Sequence, residues 1–223
     1  MKTVLLRLEG PLQSWATQGR FALRDTEREP SKSGVLGLVG SAMGMERHDD
    51  EMLATLSSLV MATRVDRAGT LLRDYHTAGG GTFRGAPNKL RGDKKTALTE
   101  RYYLEDASFL VALQGEAELI DQIASAFDKP KWPLFLGRRS CVPSKRIFAG
   151  VVESDVVSAL DNATPRPPGR LRIVVESDSS AGSPRNDVPI SFRPGNARHG
   201  TRFVVSRWLD DVAQIGASGE ANL

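Results

Sequence analysis

An α+β fold on a ferredoxin-like plan is what the sequence predicts, and three observations predict it. Apolar periodicity between Thr3 and Asp128 gives the order strand, helix, strand, strand, helix, most of a β-α-β-β-α-β unit. A glycine-rich basic stretch from Gly79 to Lys95 interrupts that order with too little apolar content to enter a core. Alternation then returns over Gly169–Glu176 and Thr201–Trp208, which predicts a small β-rich C-terminal part. The expected divisions are a palm over 1–77 and 104–145, a basic thumb insertion over 78–103, and the C-terminal part over 146–223.

Thr3 to Glu9 alternates well enough for the first strand, and Gly10-Pro11 ends it. Leu12 to Pro30 is expected as a long, polar, exposed connection. A helix follows in which Val35, Leu36, Val39, Ala42 and Met43 share one face, with Ser31 or Ser33 as N-cap and Gly44 as the stop. Gly37, Gly40 and Gly44 each cost roughly 1 kcal/mol of helix stability relative to Ala, which implies close backbone packing. They do not make a nucleotide fingerprint, because their spacing departs from Gly-x-Gly-x-x-Gly.

A second helix is expected from Asp50 to about Leu59, and strands at Met61–Asp66 and Thr70–Thr77 across an Arg67-Ala68-Gly69 turn. Beyond the insertion, Tyr103 to Leu113 reads as one strand that re-enters the sheet left at Ala78. Glu116 to Asp128 reads as a helix with Leu119, Ile120, Ile123 and Phe127 inward. Lys129 to Ser144 is a loop shaped by three prolines and Gly137. Ser177 to Asp187 is expected to be a flexible loop, and Ala217 to Leu223 a polar tail.

The chain has 223 residues, enough for one large domain or one domain with an appendage. Thirty Lys and Arg against 27 Asp and Glu give a net charge of +3, so the segregation of charge matters more than its balance. Acids gather at Asp49-Asp50-Glu51 and over Glu116–Asp121, bases in the insertion and over Lys129–Arg146. One cysteine excludes an internal disulfide, and with three scattered histidines it gives no zinc-ligand spacing, so no metal or cofactor is expected. No apolar run approaches the ~20 residues of a membrane span, and a cytoplasmic protein with no membrane partner is expected.

Between Ala78 and Thr99 stand five basic residues and one acid, Asp93. Cations spaced along a glycine-rich finger suit a polyanion, and Phe83, Tyr102 and Tyr103 at its limbs suit stacking on unpaired bases. On charge alone a solvated lysine loop fits equally well. Lys32 beside unpaired backbone donors at a helix start suits an anion, although a Ser-x-Ser cap with Lys32 in solvent is the plainer reading. Arg138 and Arg139 suit phosphates or neighbouring acids, and adjacent arginines often divide the two duties. For catalysis the one adjacent set is Tyr75, His76, Lys32 and Arg73, which a metal-independent ribonuclease would use, although a lone histidine at a strand end is more often a hydrogen-bonding or stacking residue. A third reading is a protein scaffold in which Leu90 of the thumb docks on a neighbour.

Four stretches, in order, resemble one family: Leu8-Glu9-Gly10-Pro11-Leu12-Gln13-Ser14-Trp15, Pro30-Ser31-Lys32-Ser33-Gly34-Val35-Leu36-Gly37-Leu38-Val39-Gly40, Leu72-Arg73-Asp74-Tyr75-His76-Thr77, and Phe135-Leu136-Gly137-Arg138-Arg139-Ser140-Cys141 followed by Pro143. They resemble the fifth Cas family, the RAMP-superfamily subunits of the type I-E CRISPR Cascade. That resemblance implies a modified RNA-recognition palm with a thumb, and a non-catalytic RNA-binding role in antiviral defence. It implies capping of the CRISPR RNA 5′ handle, contacts with the Cascade large subunit and terminal backbone subunit, and only indirect contact with target DNA. Relatives in type I-C systems cut the precursor RNA, so the endoribonuclease reading stays beside it. Residues and resemblance together nominate Ser31, Lys32, Ser33, Arg73, Tyr75, His76, Arg84, Lys89, Arg91, Lys94, Arg101, Gly137, Arg138 and Arg139 for the RNA path, with no catalytic residue.

Overall fold

Strand β1 (Lys2–Glu9) is apolar on both sides because both sides are covered: Val4, Leu6 and Leu8 enter one core and Leu5 the other. The computed structural model in which this is seen describes residues 1–16, 23–78, 97–178 and 180–209. Helix α1 (Lys32–Met43) begins at Ser31, whose Oγ accepts from the Gly34 N–H at 3.3 Å, and stops at Gly44, whose φ of 77° is open to glycine. Helix α2 (Asp50–Ser57) begins at Asp49, whose carboxylate accepts from the Met52 N–H at 2.9 Å, and carries Asp50 and Glu51 in its first turn, where the helix dipole favours them.

Next come β4 (Val60–Arg67), β5 (Thr70–Ala78), β6 (Ala97–Glu105), β7 (Ser108–Gly115) and α3 (Ala117–Asp128), whose Ile120, Ile123 and Phe127 are buried. The C-terminal part contains β8 (Phe148–Val152), α4 (Val156–Asn162), β9 (Leu171–Ser177), β10 (Ser183–Ser191) and β11 (Arg198–Leu209). Seven strands form one antiparallel sheet in the order β10-β11-β9-β4-β7-β1-β8. Helices α1, α2 and α3 cover one face around Trp15, Phe109 and Leu113, and α4 covers the other around Leu5, Leu110 and Ile173. The C-terminal strands therefore extend the sheet at both of its edges.

Three expectations are corrected. Tyr103 to Leu113 is two strands, because Asp106 takes a φ of 55° and turns the chain between β6 and β7, a conformation that aspartate tolerates better than most residues. The insertion does re-enter the sheet it left, as expected, but that sheet is not the large one that carries β7. Strands β5 and β6 form a hairpin in a second sheet with two short strands, β2 (Leu12–Gln13) and β3 (Leu23–Arg24).

The Leu12–Pro30 connection is not simply exposed either. Gln13, Ser14, Trp15, Glu29 and Pro30 are buried, and Trp15 packs so closely on Gly34 that a Cβ there would lie 2.8 Å from its ring. The Trp15 indole N–H donates to the Gln13 side chain, whose amide donates to the carbonyls of Leu8 and Ala107, so these polar groups are paid for internally. Finally, the loop expected over Ser177–Asp187 is partly strand β10, paired with β11. The tail from Asp210 onward lies outside the described residues.

Candidate nucleic-acid interface

Cross-strand register sorts the side chains of the second sheet into two faces. Leu23 of β3, Glu100 of β6 and Tyr75 of β5 stand in one row, with Arg73 opposite Tyr102 on the same face. Arg24, Arg101 and Asp74 stand in the next row, which points to the other face, together with His76 opposite Thr99.

The two rows differ in charge. On the first face Arg73 ion-pairs with Glu100, and that hydrogen bond holds the Glu100 carboxyl below its ordinary value. Tyr75 is 60% exposed. On the second face two arginines are neighbours. Among the described residues neither the Arg24 nor the Arg101 side chain has an ion-pair or hydrogen-bond partner, and the Nε of Arg101 is buried without an acceptor. Among the described residues His76 hydrogen-bonds with Thr99, its Nδ1 3.5 Å from the threonine Oγ1, which also donates to the His76 carbonyl.

The loop after α3 supports this sheet from below. Gly137 has a φ of 92°, and a Cβ there would lie 1.7 Å from the Ser14 carbonyl oxygen, so glycine is required. Arg138 donates to the carbonyls of Tyr102 (3.1 Å), Arg24 (2.8 Å) and Asp25 (3.2 Å), and its guanidinium lies 4.7 Å from the Tyr103 ring centroid. It is thus a strut that joins β3 to β6. Arg139 beside it is exposed and has no partner among the described residues. Cys141 is buried, and burial pushes its thiol up, which suits a small apolar filler rather than a nucleophile.

The start of α1 is occupied from within. Its Lys32 N–H donates to Asp187 Oδ2 at 2.8 Å, and Lys32 Nζ lies 2.8 Å from Glu176 Oε1. Arg202 completes the cluster with contacts to Asp187 and Glu176. Burial lowers the Lys32 pKa, partly offset by the Glu176 charge. Ser31, Lys32 and Ser33 are all buried, so the anion that this helix start attracts is the protein's own Asp187.

Of the fourteen nominated residues, Arg84, Lys89, Arg91 and Lys94 lie outside the described residues. Arg73, Tyr75, His76 and Arg101 share the hairpin, and Gly137, Arg138 and Arg139 share its supporting loop. The set weighed for catalysis is not brought together: Arg73 and Tyr75 face one way, His76 the other, and Lys32 is tied to Glu176. Arg24 was missed by the sequence reading, because its significance comes from pairing with a strand far along the chain. Among the described residues no cluster of His, Cys, Asp or Glu is spaced to hold a metal, and no helix is long and apolar enough to cross a membrane.

RNA-recognition sheets commonly bind through an open face. Here the face of the large sheet opposite α1, α2 and α3 is filled by Val156, Ala159 and Leu160 of α4. Arg64, fully buried, fixes the end of α4 by donating to the carbonyls of Leu160, Ala163 and Pro165. Among the described residues, Arg24 on β3, Arg101 on the hairpin and Arg139 on the supporting loop are cations whose side chains have no ion-pair or hydrogen-bond partner around this second sheet.

The family described as CRISPR-associated protein (Cas_Cas5) matches residues 3–205. The CRISPR system Cascade subunit CasD of Escherichia coli (strain K12) is 39% identical over 177 residues, 73% of this chain and 77% of that protein. A chain of a CRISPR RNA-guided surveillance complex superposes with a TM-score of 0.80 at 34% identity, covering 94% of this chain and 90% of that one. A crystal structure of a Cas protein gives 0.73 at 36% identity, covering 94% and 95%. With the family matched from the first strand into the last described one, the chain belongs to the CRISPR-associated Cas5 family.

Proposed function

We propose that this chain is a non-catalytic RNA-binding subunit of a type I-E Cascade, capping the 5′ handle of the CRISPR RNA and anchoring the large subunit and the terminal backbone subunit. The likeness to CasD and to a surveillance-complex chain supports the assembly. The observation that carries the RNA contact is the row of Arg24 and Arg101, two adjacent cations that no acid ion-pairs among the described residues, Asp74 of the same row included, one with a buried unsatisfied N–H. A phosphate supplies both missing partners at once.

In this reading the β4-β7-β1-β8 portion of the large sheet, with α1 and α3 packed on one face, is a ferredoxin-like RAMP palm. The β5–β6 hairpin is the root of the thumb, and the sequence between its strands supplies further cations. Arg139 and the exposed part of Arg101 hold backbone phosphates, Tyr75 offers a ring for an unpaired base, and guide pairing supplies sequence specificity and the indirect link to target DNA. The protein acts in the cytoplasm, needs no cofactor and cuts nothing, since the groups that would activate a 2′-hydroxyl lie on opposite faces of the hairpin.

The test is incubation of the full chain with labelled repeat RNA in chelator over a salt series. Intact RNA held with an affinity that falls steeply with salt, and weakened in Arg101→Ala, is the expected result. A discrete cut that disappears in His76→Ala makes the chain a processing endoribonuclease instead, and absence of binding removes the proposal.

A further inference from the structure

Trp208 is 56% exposed near the end of β11, with the Arg170 guanidinium 5.4 Å from its ring centroid. Tryptophan is highly buried on average, so an indole left half in water stands out, and this one lies far along the chain from every residue assigned above. One ring face is covered by Arg170, so the exposure belongs chiefly to the other.

Register places the pair near the hairpin. Trp208 stands opposite Arg172 of β9, and Arg172 stands opposite Val65 near the end of β4, from which the chain passes into β5. The ends of β4 and β11 and the start of β9 thus lie at one end of the large sheet. Two strand spacings, about 10 Å, separate β4 from β11. A second link runs through Glu29, which ion-pairs with Arg172 at 2.5 Å and with Arg185 at 2.9 Å. Glu29 lies five positions beyond Arg24, a span of at most about 18 Å even when fully extended. The cationic row and the open indole are therefore within reach of a single bound strand.

We propose that Trp208, backed by Arg170, is a stacking platform for one unpaired nucleobase of the single-stranded RNA that the hairpin cations hold. The site rests on the RNA-binding reading above. An indole sandwiched between a guanidinium and a base combines cation–π attraction with stacking, and stacking is indifferent to which base arrives. A protein partner also favours exposed Trp and Arg, but the shared sheet end and the Arg24–Arg101 row within that reach favour a polyanion.

The chain has three tryptophans, of which Trp15 is buried and Trp132 is partly exposed. In a full chain carrying Trp132→Phe, indole emission from the surface therefore reports Trp208. Titration with a single-stranded RNA of about ten nucleotides, within the range of single-strand site sizes, is expected to quench that emission, while the same sequence as a duplex does not. Trp208→Ala is expected to weaken binding by at least about fivefold, with Trp208→Phe recovering most of it and neither changing the melting temperature. RNA that binds with unchanged emission, and equally well to Trp208→Ala, overturns the platform and leaves the hairpin reading intact. RNA that fails to bind the parent chain at all overturns both.

Discussion

Arg24 lies directly opposite Arg101 where β3 pairs in parallel with β6, and no described acid pairs with either side chain. Like charges placed across a strand pair cost stability, up to roughly 1 kcal/mol, and the buried Nε of Arg101 adds an unsatisfied donor. An arrangement that is unfavourable in the free chain becomes favourable when phosphate arrives. Arg24→Ala and Arg101→Ala are each expected to weaken RNA binding by about tenfold, the ~1.4 kcal/mol of one charge-assisted contact. Each also lowers the slope of log affinity against log salt by about 0.7. Fluorescence anisotropy over a salt series reads both quantities. Arg24→Ala should leave the melting temperature unchanged or raised, and a lowered one would show that Arg24 has a structural role.

The adjacent arginines of the loop divide their duties. Arg138 satisfies three backbone carbonyls and lies against the Tyr103 ring, so Arg138→Ala is expected to destabilise the fold by about 2–3 kcal/mol. Arg139→Ala should alter stability by less than about 0.5 kcal/mol, because Arg139 is exposed and unpartnered among the described residues, yet it should weaken RNA binding. Urea unfolding and RNA titration of the two variants separate the roles; equal stability of both would remove the strut.

Local chemistry was legible in the sequence, and long-range partnership was not. Gly44 announced the end of α1 and the stripe of Ile120, Ile123 and Phe127 announced α3, because caps and periodicity act within a few residues. The division of Tyr103 to Leu113 between two sheets was hidden, since alternation identifies a strand but not its neighbours. Helix α4 and strand β8 were missed because seven and five residues give too little periodicity. Lys32 looked like a surface cation because its partners, Glu176, Asp187 and Arg202, belong to C-terminal strands that fold back onto α1. For the same reason Arg24 passed as part of a polar connection, and its pairing with Arg101 is what makes it a candidate contact.

Gly137 gives the sharpest steric prediction. A methyl group there would meet the Ser14 carbonyl oxygen at 1.7 Å, and neither backbone can retreat while Ser14 N–H donates to the Leu136 carbonyl at 3.1 Å. The φ of 92° adds strain for any residue with a Cβ. Gly137→Ala is expected to lower stability by more than about 3 kcal/mol, and to reduce RNA binding through displaced Arg138 rather than through a lost contact. A variant that melts like the parent would show that the loop has room to move.

Glu29 joins the connection carrying Arg24 to the C-terminal strands through Arg172 and Arg185. Burial acts to raise its carboxyl pKa, but the charges and hydrogen bonds of the two arginines outweigh that, so it lies below the ordinary 4.5. Asp187, held by Arg202 against a similar desolvation, lies below 3.8. A depressed folded-state value means that the unfolded chain binds more protons in this window, so stability rises with pH there. The contribution of each carboxylate is fully present above its unfolded value and is lost as pH falls through the folded one. Glu29→Gln leaves two arginines unneutralised, and because both reach solvent the expected cost near neutral pH is about 3 kcal/mol, the lower end for a broken buried pair. The variant should also lose less stability than the parent as pH falls below the ordinary 4.5 of a glutamate, where the unfolded chain takes up the proton that folded Glu29 resists. Parallel acid curves for parent and variant would mean that Glu29 is not ion-paired in solution. RNA affinity in Glu29→Gln should fall as well if β3 depends on this clamp for its place beside Arg101, which anisotropy at neutral pH measures directly.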